Sequence, residues 1–203
     1  MPTSPSFPPK TPFTSLLSGN VRLVWSDEFE GAKGTPPDPS KWEHERGGEG
    51  WGNRELQYYT GQPENASLDG NSCLVLTART VTEINQENRR CWYGLCRFTS
   101  ARLFTYRKFS FTYGLVEARI KLPFGQGIWP AFWMLGENFD EVGWPACGEI
   151  DIMENIGREP GIVHGTVHGP GYSGGNGIGG LHVLPEGQMV HDDFHVFAVD
   201  WQP

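Results

Sequence analysis

From Val21 onward the chain runs in short apolar or alternating segments broken by Gly, Pro, Asn and Asp. This pattern predicts strands at 22–25, 74–78, 99–105, 108–113, 115–122, 129–135, 149–155, 162–168 and 195–201. Helical periodicity is nearly absent and no internal repeat is visible, so the expected fold class is all-β, a sandwich or barrel. Alternation also assigns faces. In 115–122, Val116, Ala118, Ile120 and Leu122 point one way, and Glu117, Arg119 and Lys121 the other. In 129–135, Trp129, Ala131 and Trp133 share one face, and Phe132 and Met134 share the opposite face. One of these faces is core and the other a Trp-lined surface. Pro130 sits poorly inside a central strand and marks a bulge or the strand's start.

Residues 1–20 are rich in Pro, Ser and Thr and read as a tail, which leaves 21–203 as one domain. The start lacks an apolar h-region and a small-residue cleavage pattern, so no signal peptide is expected in this chain. No apolar run is long enough to span a membrane. The net charge of −8 argues against a nucleic-acid or anionic-membrane partner and suits a neutral substrate. Eight Trp residues are many for 203. Some fill a core, and others present flat indole faces on which the C–H groups of a pyranose can pack. Trp25, Trp42, Trp92 and Trp201 default to packing.

The segment Gly148-Glu-Ile-Asp-Ile-Met-Glu-Asn155 carries the candidate chemistry. On a strand, Glu149 and Asp151 point to one side, and Ile150 and Ile152 to the core. Strict alternation would then drive Glu154 into the core, where an unpaired carboxylate is costly. One extra residue at Ile152–Met153, a β-bulge, returns Glu154 to the acidic side. Three crowded carboxylates repel one another and rarely serve stability. A flat row of them beside Trp suits sugar cleavage better than the varied loop geometry of a hard-cation site. Retaining glycosidases use two carboxyl groups about 5–5.5 Å apart. Asp151 between the two Glu residues can hold a proton, which helps to keep one Glu charged and the other neutral.

At this point the chain resembles the family 16 glycoside hydrolases. Glu149-Ile-Asp-Ile-Met-Glu154 matches their bulged signature, and the likeness extends from Leu23-Val-Trp-Ser-Asp-Glu-Phe29 to the last residue. It includes Trp51-Gly-Asn-Arg-Glu-Leu-Gln-Tyr-Tyr59, Thr99-Ser-Ala-Arg-Leu103, Gly127-Ile-Trp-Pro-Ala-Phe-Trp133, Trp144-Pro-Ala-Cys-Gly148 and Gly165-Thr-Val-His-Gly169. The set looks most like the laminarinase branch of endo-1,3-β-glucanases. The resemblance implies a β-jelly-roll sandwich of two antiparallel sheets with a concave substrate cleft. It implies Glu149 as nucleophile, Asp151 as its helper and Glu154 as acid/base. Trp129 and Trp133 fall on cleft positions, Asn53 and Arg102 on polar sugar-binding positions, and Trp144 and His168 on further cleft positions.

The resemblance further implies retaining double displacement on a β-glucan polysaccharide, with no cofactor for catalysis, by a monomer that is secreted, as its substrate requires. Members of the family often carry a structural calcium; its ligands are not assignable in this sequence. The family's strands continue beyond a segment like Ala198-Val-Asp-Trp-Gln-Pro203, so the domain is expected to be truncated here. The 203 residues expressed alone are then expected to be aggregation-prone and weakly active. Competing readings are a mixed-linkage glucanase, an agarase-like or carrageenase-like hydrolase, a transglycosylase, and a non-catalytic glucan-binding protein. The last would lack the catalytic carboxylates, and Glu149 and Glu154 are both present.

Four further signals are weaker. Cys73, Cys91, Cys96 and Cys147 permit three pairings, and Cys91 with Cys96 could close a hairpin; free thiols are the alternative. His164 and His168 have zinc-motif spacing, but the segment reads as strand, so His168 is taken as a cleft hydrogen-bonder and His164 as structural. Gly171–Gly180 is Gly-rich without a Walker Lys and reads as a mobile loop. Asn65-Ala-Ser67 is a glycosylation sequon.

Overall fold

The structure, a computed structural model, describes residues 22–82 and 89–203. The tail reading over 1–20 lies outside the described residues. The chain divides into two compact units, one ending at Phe104 and the other starting at Thr105.

The first unit is built of very short strands: β1 (Glu43–His44), β2 (Gln57–Tyr59), β3 (Ala66–Leu68), β4 (Leu74–Leu76), β5 (Arg79–Thr80), β6 (Arg90–Cys91), β7 (Gly94–Leu95), β8 (Phe98–Ser100) and β9 (Leu103–Phe104). Antiparallel pairs join β1 to β9, β3 to β4, β5 to β8 and β6 to β7, while β2 runs parallel to β8. This parallel pair departs from the purely antiparallel sheets expected. The expected strand at 99–105 is two strands, β8 and β9, interrupted at Ala101 and Arg102. The expected strand at 22–25 is irregular backbone. Its apolar residues are not all core either, for Leu23 and Val24 are largely exposed.

Buried polar groups hold the first unit together. Asn65, 3% exposed, accepts from Thr60 Oγ1 at 2.6 Å and donates to Thr77 O at 2.8 Å and Thr99 Oγ1 at 3.1 Å. Every polar atom of that amide has a partner, as burial demands. The sequon at Asn65 is therefore closed to glycosylation in the folded chain. Cys91 and Cys96 form a disulfide across the β6–β7 hairpin, while Cys73 and Cys147 remain thiols. Trp92, assigned by default to packing, is 49% exposed, its Nε1 donating to Glu55 O at 2.9 Å. Trp25 and Trp42 do pack, edge to face at 5.5 Å.

The second unit is a sandwich. Its strands are β10 (Gly114–Ile120), β11 (Ala131–Leu135), β12 (Glu149–Glu154), β13 (Ile162–His168), β14 (Ile178–Val183) and β15 (His195–Trp201), with one helical turn, α1 (Phe139–Val142). One sheet is β10–β15 and the other runs β11–β12–β13–β14, antiparallel throughout. Leu122, Met153 and Val190 form the fully buried centre. Ile120 and Phe197 from the first sheet pack on it, as do Phe132 and Val163 from the second. The inward row expected for 115–122 is thus present, and Phe132 faces the core, leaving the Trp129–Ala131–Trp133 side outward.

Two expectations fail in this unit. Residues 108–113 form a turn and bends rather than a strand, Arg107 and Tyr113 taking positive φ of 60° and 66°. The Gly171–Gly180 segment is not all loop, because Ile178–Gly180 opens β14. Ile150 lies opposite Met134, on the core-facing side expected for it, and is half-buried like Ile152, while the fully buried member of this strand is Met153, 1% exposed.

Candidate active site

The cross-strand register fixes which side chains share a face. Along β12, Glu149 lies opposite Leu135 on β11 and His168 on β13, and Asp151 lies opposite Trp133 and Thr166. Glu154 lies opposite Ala131 and His164. From Asp151 to Glu154 the strand advances three residues while β13 advances two, from Thr166 to His164. On the other side, Trp133 pairs with Asp151 and Phe132 with Met153, so Ile152 is the extra residue. The bulge sits where the carboxylate pattern requires one. It sends Met153 into the core and brings Glu154 round to the side of Glu149 and Asp151.

Each outer carboxylate is held by an indole. Trp144 Nε1 donates to Glu149 Oε2 at 2.5 Å, and Trp129 Nε1 donates to Glu154 Oε1 at 2.9 Å. Both indoles are about half exposed, at 45% and 48%, and so present apolar surface as well as a donor. Trp129 stands just before β11, in the irregular segment that ends with Pro130. Trp144 stands between α1 and β12, and its ring centroid is 6.0 Å from that of His168.

Asp151 differs from its neighbours. It is 6% exposed, and His168 Nε2 lies 3.3 Å from its Oδ2. Burial, then the charges of Glu149 and Glu154, then a hydrogen bond to Glu149 push its pKa up to about 8. At neutral pH Asp151 is therefore an acid that can donate, flanked by two carboxyl groups. The row can hold one protonated carboxyl in the middle without placing three adjacent negative charges on one strand.

His164 turns to Glu159, with Nε2 3.3 Å from Oε2, which gives it a local, structural contact. The remaining candidates, Asn53 and Arg102, belong to the first unit. Asn53 Nδ2 donates to Glu55 Oε1 at 3.4 Å. Arg102 pairs with Glu45 at 3.7 Å and lies over the Trp51 ring at 5.6 Å from its centroid. Sequence reasoning missed Thr166, opposite Asp151, and the turn of Ile156 and Arg158 that follows Glu154. Thr166 was legible as the middle of the His164–His168 alternation.

A model of glycosyl hydrolases family 16 matches residues 54–203. The chain belongs to glycosyl hydrolase family 16. A beta-glucanase of Rhodothermus marinus is 45% identical over 186 residues, which cover 89% of this chain and 59% of that protein. Glucan endo-1,3-beta-glucosidase A1 of Niallia circulans is 37% identical over 95% of this chain and 28% of its own length. This family 16 chain thus spans less than two thirds of each of these relatives. The laminarinase catalytic domain of Thermotoga maritima superposes with a TM-score of 0.78 at 49% identity, over 89% of this chain and 70% of that one. The all-β jelly-roll class expected for a family 16 member is accordingly the fold of this chain.

Proposed function

We propose that this chain is a retaining endo-hydrolase of β-1,3-glucan with Glu149 as nucleophile, Glu154 as acid/base and Asp151 as a positioning acid. The observation that carries the reading is the bulged strand, with two Trp-held glutamates on one face and a buried aspartate between them. The names of the Rhodothermus, Niallia and Thermotoga proteins agree with it. Glu149 attacks the anomeric carbon as Glu154 protonates the departing glycosidic oxygen. Glu154 then takes a proton from water, which displaces the sugar from Glu149 and frees a hydroxyl at the anomeric carbon. The hydrogen bond from Asp151 favours a charged Glu149 and keeps its attacking oxygen oriented.

Trp129, Trp133, Trp144 and His168, with Asn53 and Arg102, are the glucan-binding set in this reading. The polymer is neutral, as the net charge of −8 favours, and is met outside the cell by a monomer. The reaction draws on no organic cofactor. Among the described residues no three His, Cys, Asp or Glu side chains gather to hold a metal ion, so they supply no side-chain cage for the calcium that the resemblance implies, and no step runs through one.

Laminarin hydrolysis followed by proton NMR tests the assignment. The first product should be the β anomer, and Glu149→Gln should lower kcat by at least about 10³-fold with unchanged melting. An initial α product, or a Glu149→Gln enzyme within tenfold of the parent, would remove Glu149 as nucleophile.

A further inference from the structure

Between Leu135, the end of β11, and Glu149, the start of β12, the chain makes an excursion that carries Trp144 to the Glu149 carboxylate. Its base is tight. Gly136 N donates to Gly148 O at 3.2 Å, and a Cβ on Gly136 would collide with Cys147 O. Further out the excursion is bonded to itself. Gly143 N donates to Phe139 O at 2.8 Å, and Cys147 N donates to Gly143 O at 3.0 Å. These bonds join α1 to the turn that holds Trp144, so the two move as one piece. The core gives that piece little hold, because all four residues of α1 are exposed.

A second segment reaches this piece from outside. Asp140 Oδ2 accepts from Tyr106 Oη at 2.5 Å and from Arg107 Nη2 at 3.0 Å. The Arg107 guanidinium also lies 4.9 Å from the centroid of the Tyr106 ring. Arg107 has a φ of 60°, a left-handed conformation that glycine accepts and side chains disfavour. A long cation stands there instead, and its head meets Asp140. The turn that presents it is rooted. Lys108 N and Phe109 N donate to Thr105 O at 2.9 and 3.0 Å, and Thr105 Oγ1 donates to Phe109 O at 3.1 Å. Phe109 stacks on Phe111 at 5.8 Å, and Phe111 meets Trp201 of β15 at 6.0 Å. The Asp140 contact therefore ties α1 to the opposite sheet of this unit.

Resting on the glycosidase reading above, we propose that Asp140 is a positioning residue, clamped by Tyr106 and Arg107 so that α1 holds the Trp144 indole on the Glu149 carboxylate. With the clamp open, α1 swings with its turn, and the hydrogen bond from Trp144 Nε1 to Glu149 Oε2 is made only part of the time. The attacking oxygen then spends less time aimed at the anomeric carbon, which lowers kcat more than it raises KM. A surface ion pair adds little to global stability, so rate and folding separate.

The test is a double-mutant cycle in laminarin hydrolysis by the full chain, with Asp140→Ala, Trp144→Phe and both together. Trp144→Phe keeps an aromatic ring and deletes the donor. Asp140→Ala alone should lower kcat about three- to tenfold, with KM changed by less than about twofold and melting unchanged. Arg107→Ala should act the same way by a smaller factor, and Asp140→Glu should recover part of the loss. In the Trp144→Phe background Asp140→Ala should cost nothing further, because the bond it protects is already gone. Equal losses in both backgrounds, a loss carried wholly by KM, or an Asp140→Ala enzyme with parental kcat overturns the proposal. Should Trp144→Phe leave too little activity to measure, amide hydrogen exchange decides. Asp140→Ala should then speed exchange over 139–148 severalfold, and unchanged exchange there overturns the clamp. A parent that cleaves no β-glucan overturns the glycosidase reading itself, and this proposal with it.

Discussion

At the scale of single residues the centre of the site is Asp151, and its protonation links the site to folding. In the unfolded chain an aspartate titrates near 3.9, whereas in the folded chain it titrates at about 8. Between these values the folded state holds a proton that the unfolded state has released. The stabilisation from Asp151 is therefore complete below the unfolded value and declines as pH rises through this window. Asp151→Asn keeps a donor toward Glu149 but cannot ionise. Its melting temperature relative to the parent should rise steadily from about pH 4 to pH 8 and level off above. A flat difference across that range would show that Asp151 is ionised in the folded protein. The fall in parent stability on the alkaline side reflects first the burial of the Asp151 charge and then its repulsion by Glu149 and Glu154.

At the scale of elements, the bulge in β12 is what the sequence discloses most clearly, because a single register cannot satisfy both the core and the carboxylates. Deleting Ile152 would straighten the strand and force a choice. Either Met153 leaves the core centre or Glu154 enters it. The deletion should abolish measurable hydrolysis and also lower stability by about 2–5 kcal/mol, the usual effect of emptying a large buried side-chain site. Denaturant unfolding with a laminarin assay checks both parts; a fully active, equally stable deletion would mean that the ladder re-forms without the extra residue. Strands β13 and β15 were legible to their last residue, since turn-forming residues bound both runs, Pro160-Gly161 and Gly169-Pro170 around β13, Asp192-Asp193 and Pro203 around β15. Strand β14 was not, because its composition is that of a loop. The reason is steric: at Gly177 a Cβ would lie 2.4 Å from the His168 ring, and at Gly179 one would lie 2.6 Å from Gly165 O. Glycine there serves close approach to β13, not mobility. Conversely, 22–25 and 108–113 have strand-like residues but, among the described residues, no strand partner, and apolar patterning cannot reveal a missing partner.

At the scale of the molecule, the balance between charge and exposed apolar edge decides how the chain behaves in solution. Strand β14 pairs with β13 and, among the described residues, has no strand on its other side. Its Ile178, Leu181 and Val183 are 62%, 61% and 59% exposed. A strand edge with open hydrogen-bonding groups and apolar side chains is a template for a second copy. Against this acts the net charge of −8, which keeps molecules apart only while salt leaves it unscreened; at 0.15 M the screening length is about 8 Å. The chain should therefore salt out at modest ionic strength rather than behave as an ordinary acidic protein. Sedimentation at rising protein and salt concentration should show a growing average mass, and Leu181→Lys should suppress the growth. A mass that stays constant in both series would mean that this edge is not adhesive. If it is, any rate per molecule measured for the proposed hydrolysis becomes a function of protein and salt concentration, because the fraction of the chain present as single copies sets it.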